Sequence, residues 1–179
     1  MTVSRSLRPL AVAAVTALLF GLTFPARAAL EECRLLRQPD IQGDTIVFVY
    51  AGDLWTVAKR GGVARRITTH EGVERFPKLS PDGKTIAFTA EYDGNVDAYV
   101  MPTEGGEPKR LTWHPAPDQV VEWYPDGKSI LLRSPRASAI QRFTRFLRVS
   151  ADGGFPELLA LPSAGYASIS SDASRIAFV

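Results

Sequence analysis

Apolar and polar positions beyond residue 35 fall into short strand-like runs cut by tight turns. Pro77 to Ser80 is one such run, and Pro81-Asp82-Gly83 then turns the chain. Proline presets φ, aspartate bonds its own backbone and glycine tolerates a positive φ. Lys84 to Ala90 follows, with β-branched and aromatic residues at its centre. Tyr92-Asp93-Gly94-Asn95 turns the chain again, and Asp97 to Pro102 is a third run. Glu104-Gly105-Gly106-Glu107 is a third turn, and Pro108 to Thr112 a fourth run. The pattern predicts four antiparallel strands joined by tight turns.

This unit recurs. Phe76 to Phe88 returns as Val121 to Leu132, a worn copy closes the chain at Ala167 to Phe178, and an earlier one spans Pro39 to Phe48. Gly43, Gly83, Gly127 and Ala173 mark the same turn at spacings of 40, 44 and 46 residues. Such a period, built of short strands, is that of propeller blades. The expected fold is all-β: a partial β-propeller of four-stranded antiparallel blades, about three blades plus the start of a fourth. It occupies residues 29–179, with blades at about 36–74, 75–119, 120–163 and a partial one at 164–179. Arg65-Arg66 and Lys109-Arg110 fall in fourth strands, where edge charge discourages pairing with other chains. Ile176-Ala177-Phe178-Val179 repeats the middle of a unit, so a truncated gene product or fragment is expected. Blades bury their faces only against neighbours, so apolar faces are expected at both ends.

The first 28 residues change the picture of location. Arg5 and Arg8 precede an apolar run from Leu10 to Phe20, and Ala26-Arg27-Ala28 supplies the small residues of a cleavage site. This predicts a secretory signal peptide over 1–28, cut after Ala28, and an exported chain, periplasmic or secreted. The apolar core is about half the roughly 20 residues that a membrane span needs. Cys33 is the only cysteine, so an internal disulfide is excluded. The net charge of +2 gives no electrostatic argument for nucleic acid or an anionic membrane surface.

Candidate chemistry is sparse. His70 and His114 each follow a fourth strand, and two imidazoles alone make a weak metal site. Their repetition is read as descent from one blade motif. Asp93-Gly94-Asn95-Val96-Asp97 with Glu104 looks superficially like a calcium loop, but Ala98 stands where that loop needs glycine, and a hairpin turn explains the string. Arg133, Arg136, Arg142, Arg145 and Arg148, interleaved with Phe143 and Phe146, have the composition of a single-strand-binding surface. Export and the strand pattern of 145–149 favour a solvated hairpin instead, with peptide contact along a blade face left open. No nucleophile elbow, phosphate loop or His-Glu-x-x-His string occurs. No catalytic, cofactor-binding or metal-binding residue is therefore assigned.

Some strings are more particular. Val49-Tyr50-Ala51-Gly52-Asp53-Leu54-Trp55 and Glu91-Tyr92-Asp93-Gly94-Asn95-Val96-Asp97 resemble the opening blades of tricorn proteases, as do Glu74-Arg75-Phe76-Pro77 and Arg110-Leu111-Thr112-Trp113-His114-Pro115. The Ser80-Pro81-Asp82-Gly83 turn is shared with TolB-like propellers and prolyl-type oligopeptidases. Tyr124 in the third copy of that turn, and Ser171 and Ala173 in the fourth, depart from the pattern. The resemblance implies a large serine peptidase whose N-terminal propeller guides or filters peptides for a catalytic domain that lies far beyond residue 179. It implies peptides or unfolded polypeptide as partners and leaves a homo-oligomer open for the full-length protein. No cofactor is expected, and neither nucleic acid nor, after signal cleavage, a membrane is expected as a partner. The alternative is a non-catalytic, TolB-like periplasmic interaction propeller.

Overall fold

The computed structural model describes residues 35–138, 143–162 and 165–179. The expected signal peptide, Cys33 and Arg142 lie outside them. The strands are β1 Arg37–Gln42, β2 Thr45–Tyr50, β3 Asp53–Ala58 and β4 Arg65–Arg66; β5 Glu74–Leu79, β6 Thr85–Glu91, β7 Val96–Pro102 and β8 Lys109–Arg110; β9 Gln119–Trp123, β10 Ser129–Ser134, β11 Arg145–Ser150 and β12 Glu157–Leu158; β13 Ala167–Ile169 and β14 Ile176–Phe178. Each group of four is one antiparallel meander in chain order, and β13–β14 is a two-stranded pair. The fold is thus an unclosed β-propeller of three blades and part of a fourth.

Strand residues alternate between two neighbours, not between core and water. Ile86 and Phe88 of β6 pack with Val47, Val49 and Leu54 of the first blade. Ala87 between them packs with Val120, Ile130 and Leu132 of the third. Phe146 and Leu131 of the third blade pack with Ala167 and Ile169 of β13. Successive side chains on a strand point to opposite faces. A blade buried on both faces therefore reads as a nearly continuous apolar run.

The first strands of successive blades lie against one another, β1 on β5, β5 on β9 and β9 on β13. They form the inner side of the fan. Two of them are bulged at equivalent points: Gln38 and Phe76 have φ of 51° and 52°, and the register slips beside each. The Gln38 side-chain oxygen accepts the Phe76 N–H at 2.8 Å, so one bulge braces the next.

The Ser-Pro-Asp-Gly turn shows why it repeats. Asp82 Oδ1 accepts from the Ser80 hydroxyl at 2.7 Å and the Lys84 N–H at 3.0 Å. The departures leave the geometry unchanged. Asp126 still accepts from Lys128 N–H at 2.8 Å although Tyr124 replaces serine. Asp172 still holds Ser170 and Ser174 although Ala173 takes the glycine position at a φ of 56°.

The basic pairs do lie on edge strands, but they do more than repel other chains. Arg65 Nη1 donates to the Glu104 carbonyl of the next blade at 2.9 Å. Lys109 Nζ donates to the Asp152 carbonyl one blade further on at 2.8 Å. The second member turns inward. Arg66 pairs with Asp53 at 2.8 Å, and Arg110 with Asp97.

Candidate functional site

The bulged inner strands bring one residue from each blade into an axial row. Lys78 of β5 sits between Asp40 of β1, at 3.4 Å, and Glu122 of β9, at 3.3 Å. All three side chains are only 21–28% exposed. Burial by itself lowers the Lys78 pKa, but the Glu122 and Asp40 carboxylates outweigh it and hold the ammonium above its ordinary value. Asp40 also accepts the Leu79 N–H at 2.8 Å, and the Trp123 indole donates to the Lys78 carbonyl at 2.8 Å. The first and third blades thus both bond to the β5 backbone beside the row.

A cleft of about 410 Å³ opens beside this row, lined by Phe76, Pro77, Lys78, Val121, Arg133 and Tyr166 among others. Arg133 lies 4.5 Å from the Tyr166 ring centre and 5.6 Å from that of Phe76. Its Nε donates to the Gln119 side-chain oxygen at 2.8 Å and its Nη1 to the Gly165 carbonyl at 2.7 Å. The result is a fixed guanidinium between aromatic faces, an arrangement suited to contacting peptide carbonyls and apolar side chains.

The arginine–phenylalanine stretch is not one surface. Arg133 faces the axis, Phe146 is fully buried, and Arg148 lies over the Tyr124 ring at 4.6 Å while reaching Asp126 at 3.4 Å. The expected solvated hairpin thus holds only in part, because β10 and β11 are core strands of the third blade.

His70 and His114 take equivalent places, as the repeat requires, and each closes its own loop. His70 Nδ1 accepts the Gly72 N–H at 2.9 Å, and His114 Nδ1 accepts the Ala116 N–H at 3.0 Å. Among the described residues no group of three or more His, Cys, Asp or Glu is placed to hold a metal ion. Asp93 and Asn95 form the β6–β7 turn, and the Asn95 amide donates to Asp97 and to the His114 carbonyl, each at 2.8 Å.

Sequence reading missed the polar joints between blades. Thr68 Oγ1 accepts the Leu54 N–H at 2.8 Å and donates to Glu74 Oε2 at 3.0 Å. The Tyr92 hydroxyl donates to Glu74 Oε1 at 2.7 Å. Glu74 is wholly buried, and burial is the main cause that pushes its pKa up to about 7, against the opposing hydrogen bonds from Tyr92 and Thr68. At the next joint Thr112 accepts the Ala98 N–H at 3.1 Å and donates to Asp97 at 3.0 Å. Asp118 there is fully buried 3.4 Å from Arg136, and burial raises its pKa as well. The signal was present: Asp53, Arg66, Thr68 and Glu74 recur 44 residues later as Asp97, Arg110, Thr112 and Asp118.

The profile of the tricorn protease N-terminal beta propeller domain matches residues 33–179. Tricorn protease homolog 1 of Streptomyces coelicolor is 34% identical over 82 residues, 46% of this chain and 7% of that protein. The tricorn protease of Thermoplasma acidophilum is 43% identical over 53 residues, 30% of this chain and 5% of that protein. A putative tricorn-like protease N-terminal subunit of Sulfurisphaera tokodaii is 41% identical over 51 residues, 28% of this chain and 26% of that protein. The chain therefore matches only a small part of the length of these curated relatives. A crystal structure of the tricorn protease superposes with a TM-score of 0.67 at 29% identity, covering 76% of this chain and 14% of that one. TolB from Acinetobacter baumannii superposes at 0.64 with 23% identity, over 80% of this chain and 37% of that one, a likeness of fold.

Proposed function

The chain belongs to the family of tricorn protease N-terminal β-propeller domains, and from that membership we propose that it is the substrate-handling propeller of an exported tricorn-like serine peptidase. In this reading it guides or filters peptides or unfolded polypeptide toward a catalytic domain carried elsewhere in a longer protein. The observation that carries the reading is the axial row Asp40–Lys78–Glu122. With Arg133 on the same wall, two carboxylates meet two cations, and a wall so balanced holds neither acidic nor basic passengers strongly, whereas an unpaired buried charge would bind one sign and select against the other. Such a wall filters by girth more than by sequence. Arg133, between Phe76 and Tyr166, supplies one contact point for a passing chain.

Photo-crosslinking tests this directly. An unfolded peptide bearing a benzophenone should label β5 and β10, near Phe76 and Arg133; labelling confined to outer strands would count against the axial role. Export is tested by N-terminal sequencing of the protein recovered from the producing cell, which should begin at Ala29. An uncleaved cytosolic product sinks that part. The coding sequence beyond codon 179 should continue into a serine hydrolase domain, and a stop after two or three further blades would instead favour an interaction propeller. A homo-oligomer of the whole protein is also part of the proposal, checked by its sedimentation.

A further inference from the structure

Two clefts occupy equivalent places one blade apart, away from the axial row. The first, about 520 Å³, lies between residues 67–70 after β4 and the outer strands of the second blade. The second, about 370 Å³, lies between residues 111–114 after β8 and the outer strands of the third. Their frames match, but their chemistry does not. Tyr92 and Glu107 of the first cleft are replaced in the second by Arg136 and Phe155. The first lining contains Asp93 and Glu107, and the second contains no carboxylate.

Several observations describe what the first cleft wants. Arg110, its one cation, is already engaged by Asp97 and by Asp93 at 3.5 Å. Glu107 is exposed and makes no ion pair among the described residues. With Asp97 behind it, the cleft therefore holds more negative than positive charge. One wall is aromatic: the exposed His70 ring packs on Tyr92 with centres 3.9 Å apart and planes tilted by 38°, and Tyr92 lies 4.8 Å from Tyr99. Tyr99 lines the cleft and is 3% exposed, and its buried hydroxyl has no hydrogen-bond partner among the described residues. A buried hydroxyl left without a partner is rare and points to a missing one.

We propose that this cleft binds the guanidinium of an arginine in a peptide, with Glu107 and Asp93 as counter-charges, the packed His70–Tyr92 rings as the face it lies on, and the Tyr99 hydroxyl as an acceptor beneath them. A guanidinium is planar, carries only donors and stacks on aromatic rings, whereas an ammonium is a compact, strongly hydrated point charge. The protein uses the same chemistry internally, where Arg148 lies 4.6 Å from the Tyr124 ring centre. The excess of carboxylates excludes an anionic ligand. The cleft thus offers Glu107 without a cation of the described residues beside it, whereas both carboxylates of the axial row already contact Lys78.

The test is titration calorimetry of the full chain with N-acetyl-argininamide, with the neutral citrulline and the lysine counterparts as controls. The arginine probe should bind saturably within about 10 mM and more weakly as salt is added. The citrulline probe should bind about tenfold more weakly. Glu107→Gln should lose about tenfold in affinity with its melting temperature unchanged, because the residue is exposed. Tyr99→Phe should weaken binding while leaving the melting temperature unchanged or raised, since it deletes an unpartnered buried hydroxyl. Absence of saturable binding, equal binding of arginine and citrulline, or full binding by both Glu107→Gln and Asp93→Asn overturns the proposal; lysine binding as tightly as arginine overturns the assignment to a guanidinium. Glu107→Gln should leave crosslinking at Phe76 and Arg133 intact, which separates a failure here from a failure of the axial reading.

Discussion

Replacing Glu74 with glutamine should stabilise the protein at mildly alkaline pH and lose that advantage as the pH falls. Glu74 is wholly buried at the joint of the first two blades, and its pKa is pushed up from 4.5 to about 7. The folded state therefore holds this proton more tightly than the unfolded chain does. Below about pH 4.5 both states carry it, and the group contributes nothing to the pH dependence. Between about 4.5 and 7 only the folded state carries it, so stability falls as pH rises. Above about pH 7 the full cost is present, about 3 kcal/mol for a shift of this size. Glutamine is neutral throughout, accepts from the Tyr92 hydroxyl as Glu74 does at 2.7 Å, and fills the same volume. Urea unfolding followed by tryptophan fluorescence, at several pH values from about 5 to 8.5, gives the difference between parent and variant. Other groups titrate equally in both proteins and cancel. The difference should grow by about 2–3 kcal/mol across that range in favour of the variant. A difference constant within about 0.5 kcal/mol would refute the reasoning, because Glu74 would then titrate alike folded and unfolded.

Other outcomes follow from single contacts. Gly72→Ala should lower the melting temperature markedly, since a Cβ there would run into the Glu91 carbonyl and the Tyr92 ring, an overpacking that costs about 1–3 kcal/mol. Ala173→Gly should slow hydrogen exchange in the β13–β14 turn, because alanine there has a φ of 56° and glycine relieves about 1 kcal/mol of strain. Phe146→Ala should cost about 3–5 kcal/mol and release the β13–β14 pair that its ring supports, read as faster tryptic cleavage at Arg175. The purified chain should not hydrolyse fluorogenic peptides; hydrolysis that co-purifies with it through successive columns would contradict the proposal that it only handles substrate.

Blade architecture was legible because it is local. Each turn is written by three or four adjacent residues, such as Ser80 to Gly83, and its hydrogen bonds close within the same segment. The joints were not legible in the same way, because each is divided between two repeats. Thr68 belongs to the end of one unit and Glu74 to the start of the next, and reading one blade at a time separates the two partners. Arg65 and Lys109 were read as edge charges for the same reason: their acceptors, at Glu104 and Asp152, lie a whole blade away. The arginine–phenylalanine stretch misled in the opposite direction. Closeness in sequence suggested one surface, but Arg133 and Phe146, cross-strand partners on one face of the blade, have different cover: Arg133 lines the axial cleft, whereas β13 and β14 bury Phe146.

The three joints are therefore of unequal kind, and the inequality follows from a few substitutions in one motif. The first two carry an aspartate on the third strand, an arginine paired to it, a threonine beyond and a buried acid on the following blade. At the corresponding places of the third blade stand Arg145, Leu158 and Ala160, with Leu158 opposite Leu147 where Arg66 faces Trp55 and Arg110 faces Tyr99. What holds β13 to the third blade is apolar packing on Phe146 and the bond from Arg133 to the Gly165 carbonyl. Buried polar networks fix one arrangement because any shift leaves partners unpaired, whereas apolar contacts tolerate sliding. The first three blades should accordingly move as one rigid unit, and the first opening in native-state hydrogen exchange should come at β13–β14.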